Sequence, residues 1–112
     1  RLPARDRGAA RRPASRALAR AVQQRLVRSI REIAPEVVDR GVKSAPFLVL
    51  VATDVPAILA EVACLSNAEE ARLLGDPEYR ARISTALFDG IAAYSESVQR
   101  AGPANLRERE SR

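Results

Sequence analysis

Few residues of this sequence are able to do chemistry, and Glu61 is the one with an unusual setting. It lies within residues 57–64, and all the remaining residues of that run are apolar. Burying an ionised carboxylate without a partner is costly, so a carboxylate in such a run needs a reason. Two ordinary explanations stay open: the other face of the segment is solvated, or Glu61 pairs with Arg40 or Lys43.

Histidine is absent from all 112 residues. Ser-His and Cys-His nucleophilic pairs are therefore excluded within this chain, and so is a catalytic zinc site of the usual imidazole type. Cys64 is the only cysteine and has no histidine to activate it, so we interpret it as a small hydrophobic residue of a buried strand. Arg40 and Lys43 are weaker candidates: they could steady an anionic glycan or peptide carboxylate, or be solvated turn charges.

The positive charge is concentrated at the N-terminal side. Residues 1–43 carry twelve Arg and Lys against four acids, whereas residues 44–112 carry seven against ten. Such a basic segment favours anionic partners, including nucleic acid and teichoic acid-like polymers. No aromatic residues are interleaved with the arginines, so we predict a solvated basic helix face and no nucleic-acid partner.

Two segments have the period of amphipathic helices. In the first, Ser15 is a candidate N-cap and Pro35 ends the helix; in the second, Asp76 and Pro77 are the N-cap and first helical residue. Between them, Asn67 followed by Glu70 predicts a short capped helix that ends at Gly75. The apolar stripes are Leu18, Val22, Leu26, Ile30 and Ile33 in the first helix, and Tyr79, Ile83, Leu87, Ile91, Tyr94 and Val98 in the second.

Two short apolar runs predict β-strands, at residues 47–52 and 57–64. Only four residues separate them, so these strands would pair as an antiparallel hairpin. The predicted fold class is α/β, a partial open sheet flanked by helices. We expect a disordered or truncated lead-in at residues 1–14, one folded unit at 15–98 and a disordered tail at 99–112, with no membrane span. The first residue is Arg1, so we also expect missing sequence upstream.

Across residues 15–97 the sequence closely resembles the zinc-dependent N-acetylmuramoyl-L-alanine amidases of the third amidase type. The residues that carry the resemblance form one ordered series: DRGVK at 39–43, FLVL at 47–50, VPAILAEVACLSN at 55–67, EARLL at 70–74 and GIAAY at 90–94. Ala63 and Cys64 stand where the family usually has Gly-Phe, so the backbone beside Glu61 is expected to differ.

The resemblance implies a mostly parallel sheet between helices, with this chain forming the C-terminal half of the catalytic domain. It also implies a zinc ion held by two histidines and a glutamate from an earlier part of the domain, before Arg1, so this chain alone would bind no zinc. The family's catalytic glutamate matches Glu61, as the general base that takes a proton from the zinc-activated water and delivers it to the leaving nitrogen.

The expected function is therefore hydrolysis of the amide bond between N-acetylmuramic acid and L-alanine in peptidoglycan, in the periplasm or outside the cell. The segment alone is expected to be inactive, and to aggregate or order poorly because a cut sheet exposes an edge and an apolar face. One alternative is a non-catalytic relative that binds cell wall or a partner protein. Another makes the arginine-rich N-terminus a nucleic-acid-binding arm. The oligomeric state stays open.

Overall fold

The computed structural model describes the backbone of residues 4–110 and the side chains of residues 12–102. Four helices occur in this part of the chain. They are α1 (Ala4–Arg31), the single turn α2 (Leu48–Val51), α3 (Ala68–Leu74) and α4 (Pro77–Glu110).

The two long helices, α1 and α4, form an antiparallel hairpin. Val22 of α1 lies against Gly90 of α4, and Glu32, just beyond α1, forms an ion pair with Arg82 of α4. The apolar stripes predicted for these helices meet in this hairpin and are buried there. The buried residues are Val22, Leu26 and Ile30 from α1, and Tyr79, Ile83 and Ala86 from α4.

The outer members of both predicted stripes are not in the core. Ile33 lies beyond the end of α1 and is exposed, as are Ile91 and Val98 of α4. The helical period places these residues near the correct face, but the buried contact between the helices is shorter than either stripe.

Local signals around α3 and α4 are confirmed. The Asn67 side chain accepts hydrogen bonds from the backbone N–H groups of Glu69 and Glu70, each 3.1 Å long, and so caps α3. Asp76 accepts from the backbone N–H of Glu78 at 3.0 Å, and α4 begins at Pro77.

The prediction that Ser15 starts the first helix is wrong. The helix begins at Ala4 and runs through Pro13, and the hydroxyl of Ser15 accepts a hydrogen bond from the backbone N–H of Ala57 instead. Alanine and arginine are both strong helix formers, which accounts for helix in a segment without an apolar period.

Residues 4–14 of the predicted lead-in and residues 99–110 of the predicted tail lie in α1 and α4. Residues 1–3 and 111–112 of the same two segments fall outside the described residues. The domain limits at 15 and 98 stay a prediction.

The α/β fold class is wrong for this structure, because residues 4–110 contain no β-strand and so neither an open parallel sheet nor a hairpin. Four residues of the first predicted strand form the turn α2 instead. The Thr53 hydroxyl closes that turn by donating to the carbonyl of Leu50 at 2.9 Å. The second predicted strand is extended but irregular.

Strand formation failed for a physical reason. A strand is stabilised by hydrogen bonds to a neighbouring strand. In a short apolar run, the spacing of the apolar residues does not distinguish a strand from a helical turn. Within the described part of the chain, the backbone of residues 58–63 makes no hydrogen bond. Without a partner strand, residues 48–51 adopt the hydrogen bonds that they can form locally.

Candidate functional site

The extended segment 56–64 carries Glu61 and is attached to the helical hairpin. At its start, the backbone N–H of Ala57 donates to the Ser15 hydroxyl of α1 at 3.0 Å. Further along, Ile58 and Val62 pack against the buried core. The segment ends in a turn, where the backbone N–H of Asn67 donates to the carbonyl of Cys64 at 3.0 Å. This segment is thus held by packing against the helices and by one side-chain hydrogen bond, and not by strand pairing in a sheet.

The Glu61 side chain is exposed to solvent. The expected cost of a buried carboxylate therefore does not arise, and the explanation that this face is solvated agrees with the geometry. Arg40 and Lys43 are exposed as well, and neither forms an ion pair with Glu61. Among the described side chains Glu61 has no hydrogen-bond or ion-pair partner, so its carboxylate is accessible to water and ligands.

Cys64 is half-buried rather than enclosed in a strand. Its sulfur lies 2.9 Å from the hydroxyl oxygen of Ser66. That hydrogen bond and the backbone N–H groups of Ser66 and Asn67 lower the pKa of the Cys64 thiol, while burial and then the charge of Glu70 oppose them. The surroundings of the thiol are thus more polar than those of a small hydrophobic core residue.

The surroundings of Glu70 were not predicted from the sequence. One carboxylate oxygen, Oε2, is buried and has no hydrogen-bond partner among the described residues. The sequence pattern predicted that Glu70 would complete a capping box with Asn67, but the Asn67 N–H donates to Cys64 instead. Burial, and secondarily the charge of Glu70, raises the pKa of the neighbouring Tyr79 hydroxyl.

A groove of about 480 Å³ lies on the surface between α1 and α4, and it does not include Glu61. Its walls carry charges of both signs, and the ion pair between Glu32 and Arg82 joins its two sides. The sequence offered no signal for this groove, because its residues come together only when the helices pack. The groove and the candidate site at Glu61 are thus separate parts of the surface.

No set of three histidine, cysteine or acidic side chains that could hold a metal ion occurs in the described part of the chain. Zinc as an imidazole-bound ion does not fit the residues present, since the whole sequence lacks histidine. None of the described helices has the length and apolarity that a bilayer crossing requires.

Comparison with known proteins identifies relatives of this chain. The family model described as N-acetylmuramoyl-L-alanine amidase matches residues 7–93. The uncharacterized protein YqiI of Bacillus subtilis (strain 168) is 36% identical over 80 residues, which are 71% of this chain and 36% of YqiI. No solved structure matches.

Two relatives with an enzymatic name match a shorter part of the chain. The N-acetylmuramoyl-L-alanine amidase AmiA of Escherichia coli (strain K12) is 40% identical over 55 residues, which are 49% of this chain and 19% of AmiA. The N-acetylmuramoyl-L-alanine amidase LytC of Bacillus subtilis (strain 168) is 38% identical over 56 residues, which are 50% of this chain and 11% of LytC. The chain thus spans little more than a third of YqiI and less of the two amidases. Since the family model matches most of its length, this chain belongs to the N-acetylmuramoyl-L-alanine amidase family.

Proposed function

We propose that this chain is part of an enzyme that hydrolyses the amide bond between N-acetylmuramic acid and L-alanine in peptidoglycan, and that Glu61 is its proton-transfer residue. Family membership supports the reaction, and the names of AmiA and LytC agree with it. Because peptidoglycan lies outside the cytoplasmic membrane, we place the enzyme in the cell envelope.

The observation that carries the role of Glu61 is its free carboxylate. It is exposed, without a partner among the described side chains, on a segment fastened to the helical hairpin at Ala57, Ile58 and Val62. A general base must reach a water molecule and must be held in position. Glu61 would accept a proton from the attacking water and return it to the amide nitrogen as the carbon–nitrogen bond breaks.

Zinc enters this proposal only through residues that this chain does not contain. The described residues offer no three-ligand set and the sequence no histidine. A zinc ion in the active enzyme would need ligands from another part of the protein, and we therefore expect the 112 residues alone to be inactive.

The lack of imidazole ligands favours a second function, a non-catalytic relative that binds the cell wall. The two functions differ in a direct test. Purified peptidoglycan is incubated with the full-length protein that carries these residues, and released stem peptides with a free L-alanine amino group are measured.

Glu61→Gln keeps the size of the side chain and removes its ability to accept a proton. If Glu61 is the general base, the release rate falls by about 10²–10⁴-fold. Glu78→Gln is the matched control, because Glu78 is also exposed but lies in the first turn of α4, and it should leave the rate unchanged. Circular dichroism of both variants checks that the fold is intact.

Either of two results would overturn the catalytic role. Equal rates for wild type and Glu61→Gln would show that Glu61 moves no proton. A full-length protein that releases no stem peptide, yet binds the wall, would establish the binding function instead.

A further inference from the structure

In the described structure, a single hydrogen bond joins segment 56–64 to the helical hairpin. The backbone N–H of Ala57 donates to the hydroxyl oxygen of Ser15 at 3.0 Å, and the two residues are 42 positions apart in the sequence. The backbone of residues 58–63 makes no hydrogen bond within the described part of the chain. The turn at the far end of the segment links it to its own continuation and not to α1 or α4. The contact with Ser15 is therefore the directional one.

The apolar contacts of the segment do not fix its register, meaning which of its residues face the core. Ile58 and Val62 pack against the core, whereas Leu59 is 50% exposed. Displaced by one residue, the segment would offer Leu59 and Ala63 to the same two positions, and both are apolar. Hydrophobic burial is non-directional, so it discriminates weakly between such arrangements. A hydrogen bond to one oxygen atom does discriminate, because its distance and angle are both restricted.

Ser15 weakens the helix that carries it. It lies in the interior of α1, so its side chain does not cap the helix. Serine favours helix less than alanine does, and Ala14, Ala17 and Ala19 are close neighbours in the sequence. The contribution of Ser15 to the structure is its bond to Ala57, in a distant part of the chain.

The core face of α1 holds the Ser15 hydroxyl in a defined place. Ser15 precedes Leu18 by three residues and Val22 by seven, so the three side chains lie on one face of the helix. Val22 is buried, Leu18 packs against the core and Ser15 is half-buried. The acceptor of the hydrogen bond is thus carried by a part of α1 that is packed against the rest of the hairpin.

The register determines where the Glu61 carboxylate lies. Glu61 follows Ala57 by four residues, so a displacement at Ala57 is passed along the segment, and one residue corresponds to about 3.3 Å of extended chain. Displaced towards the core, Glu61 would take the inward position of Val62, which is costly for a carboxylate without a partner. A general base must lie within about 2.6–3.2 Å of the group whose proton it takes. A shift of one residue therefore exceeds what the proposed reaction tolerates.

We propose that Ser15 is a positioning residue for Glu61: its hydroxyl fixes the register of segment 56–64, and that register keeps the Glu61 carboxylate on the solvent side. The catalytic consequence rests on the proposed function, in which Glu61 transfers a proton. The register itself is a property of the 112-residue chain and does not require amidase activity. The two parts therefore have separate tests.

The first test measures the register in the 112-residue chain by thiol labelling. Cys64→Ser removes the natural thiol, and Val62→Cys places a thiol at an inward position. In this background, Ser15→Ala removes the hydrogen-bond acceptor while favouring α1 itself, since alanine is the better helix former. We expect the rate of labelling by a maleimide to rise by about 2–10-fold, the factor that corresponds to one net hydrogen bond.

Two further variants separate the hydrogen bond from other effects of the substitution. Ser15→Thr keeps a hydroxyl at the same position and should keep the slow labelling. Ser29→Ala is the matched control, because Ser29 is also a half-buried serine of α1 but lines the groove between α1 and α4 and does not bond to segment 56–64. Its labelling rate should equal that of the background, and circular dichroism checks the helix content of each variant.

The second test measures amidase turnover in the full-length protein that carries these residues. Ser15→Ala should lower kcat by about tenfold and leave KM within about twofold, since a displacement of about 1 Å at a reacting group can cost up to 10²-fold in rate. Ser15→Thr and Ser29→Ala should keep the wild-type kcat. In the Glu61→Gln background, Ser15→Ala should cause no further loss, because two residues that act through one group are not additive.

Three results would overturn the proposal. Unchanged labelling in Ser15→Ala would show that the hydrogen bond does not hold the segment. Faster labelling together with a wild-type kcat would show that the register does not govern Glu61. An equal loss of kcat in the wild-type and Glu61→Gln backgrounds would assign Ser15 a general structural role. A full-length protein without turnover would refute the proposed function and the catalytic part of this proposal, and the labelling rates would still decide the register.

Discussion

Asp39 stabilises the loop that follows α1. Its Oδ1 atom accepts hydrogen bonds from the Gln23 side chain at 2.6 Å and from the backbone N–H of Gly41 at 2.8 Å. Gly41 has a φ of +74°, a conformation that side chains disfavour, so the carboxylate stabilises a turn suited to glycine. These hydrogen bonds, that of Gln23 first, lower the pKa of the Asp39 carboxyl from its ordinary value of 3.8.

This lowered pKa predicts a pH dependence with a definite sign. A carboxyl whose pKa is lower in the folded than in the unfolded chain stabilises the fold above the unfolded value, and loses that effect as pH falls through the folded value. The stabilisation by Asp39 is thus complete above its ordinary pKa of 3.8 and is lost as the pH falls from there through the lower pKa of the folded chain. Gln23→Ala should raise the Asp39 pKa toward 3.8, as measured by NMR titration of the carboxyl carbon.

Gln24→Ala is the control for that titration. Gln24 is the next residue of α1, about 100° further around the helix, and its exposed side chain forms no hydrogen bond with Asp39. The Asp39 titration should be the same as in wild type. An unchanged Asp39 pKa in Gln23→Ala would contradict the hydrogen-bond explanation.

Cys64 gives a second prediction at the level of single residues. Because Ser66 lowers the pKa of the thiol, a larger fraction is thiolate at neutral pH, and thiolate is the form that reacts. Ser66→Ala should slow alkylation of Cys64 by iodoacetamide at neutral pH, because a smaller fraction of the thiol is then ionised. The pH midpoint of the alkylation rate should rise in this variant; a midpoint that stays the same would show that Ser66 does not influence the thiol.

Among the elements, the contact between α1 and α4 depends on a glycine. A Cβ atom at Gly90 would lie 2.6 Å from the Val22 Cα atom, closer than packed atoms approach, so Gly90 allows the two helices to touch. Gly90→Ala forces the helices apart and should destabilise the chain by about 1–3 kcal/mol despite alanine's better helix propensity. Urea denaturation followed by circular dichroism measures the change.

Gly102→Ala in the same helix is the matched control. A Cβ atom there would meet nothing within 4 Å, so no packing contact changes. The gain in helix propensity is opposed by Pro103, which disfavours helical backbone at a preceding residue with a side chain, so we expect a change in stability below about 1 kcal/mol. Equal effects at both glycines would show that the contact with Val22 does not limit the packing.

For the whole molecule, the amount of exposed apolar surface predicts self-association. Leu48 of α2 is 80% exposed, and Phe88 and Ile91 on the outer side of α4 are 70% and 52% exposed. Large apolar side chains left exposed favour association with another molecule or segment. We expect the 112-residue chain to bind the dye ANS and to sediment as a mixture of sizes.

Phe88→Ser with Ile91→Ser should reduce both dye binding and the average sedimenting mass without weakening the hairpin, since neither side chain is in the core. Ile83→Ser is the contrasting variant, because Ile83 is 6% exposed and its loss opens the core. It should lower stability by about 2–5 kcal/mol, the cost of truncating a buried aliphatic side chain. A wild-type chain that sediments as a single monomer would contradict the prediction.

Features that depend on a few neighbouring residues were predictable from the sequence alone. The inward positions of Val22, Leu26 and Ile83 follow from the helical period, and the caps at Asn67 and Asp76 from the hydrogen bonds of one turn. The ordered series of residues around Glu61 likewise led to the family that the comparisons identify. The catalytic role of Glu61 stays a prediction.

Features that depend on distant partners were decided only by the tertiary structure. Residues 48–51 became a helical turn and residues 58–63 stayed unpaired, because a strand requires a neighbouring strand and no local pattern reveals whether one is present. Distant partners also decide three other features: the exposure of Glu61, the close contact of Gly90 with Val22, and the hydrogen bond from Ala57 to Ser15. Sequence determines the helical period and the caps because these depend on residues within one turn, whereas contacts across 40 or more residues depend on which surfaces the packed helices leave open.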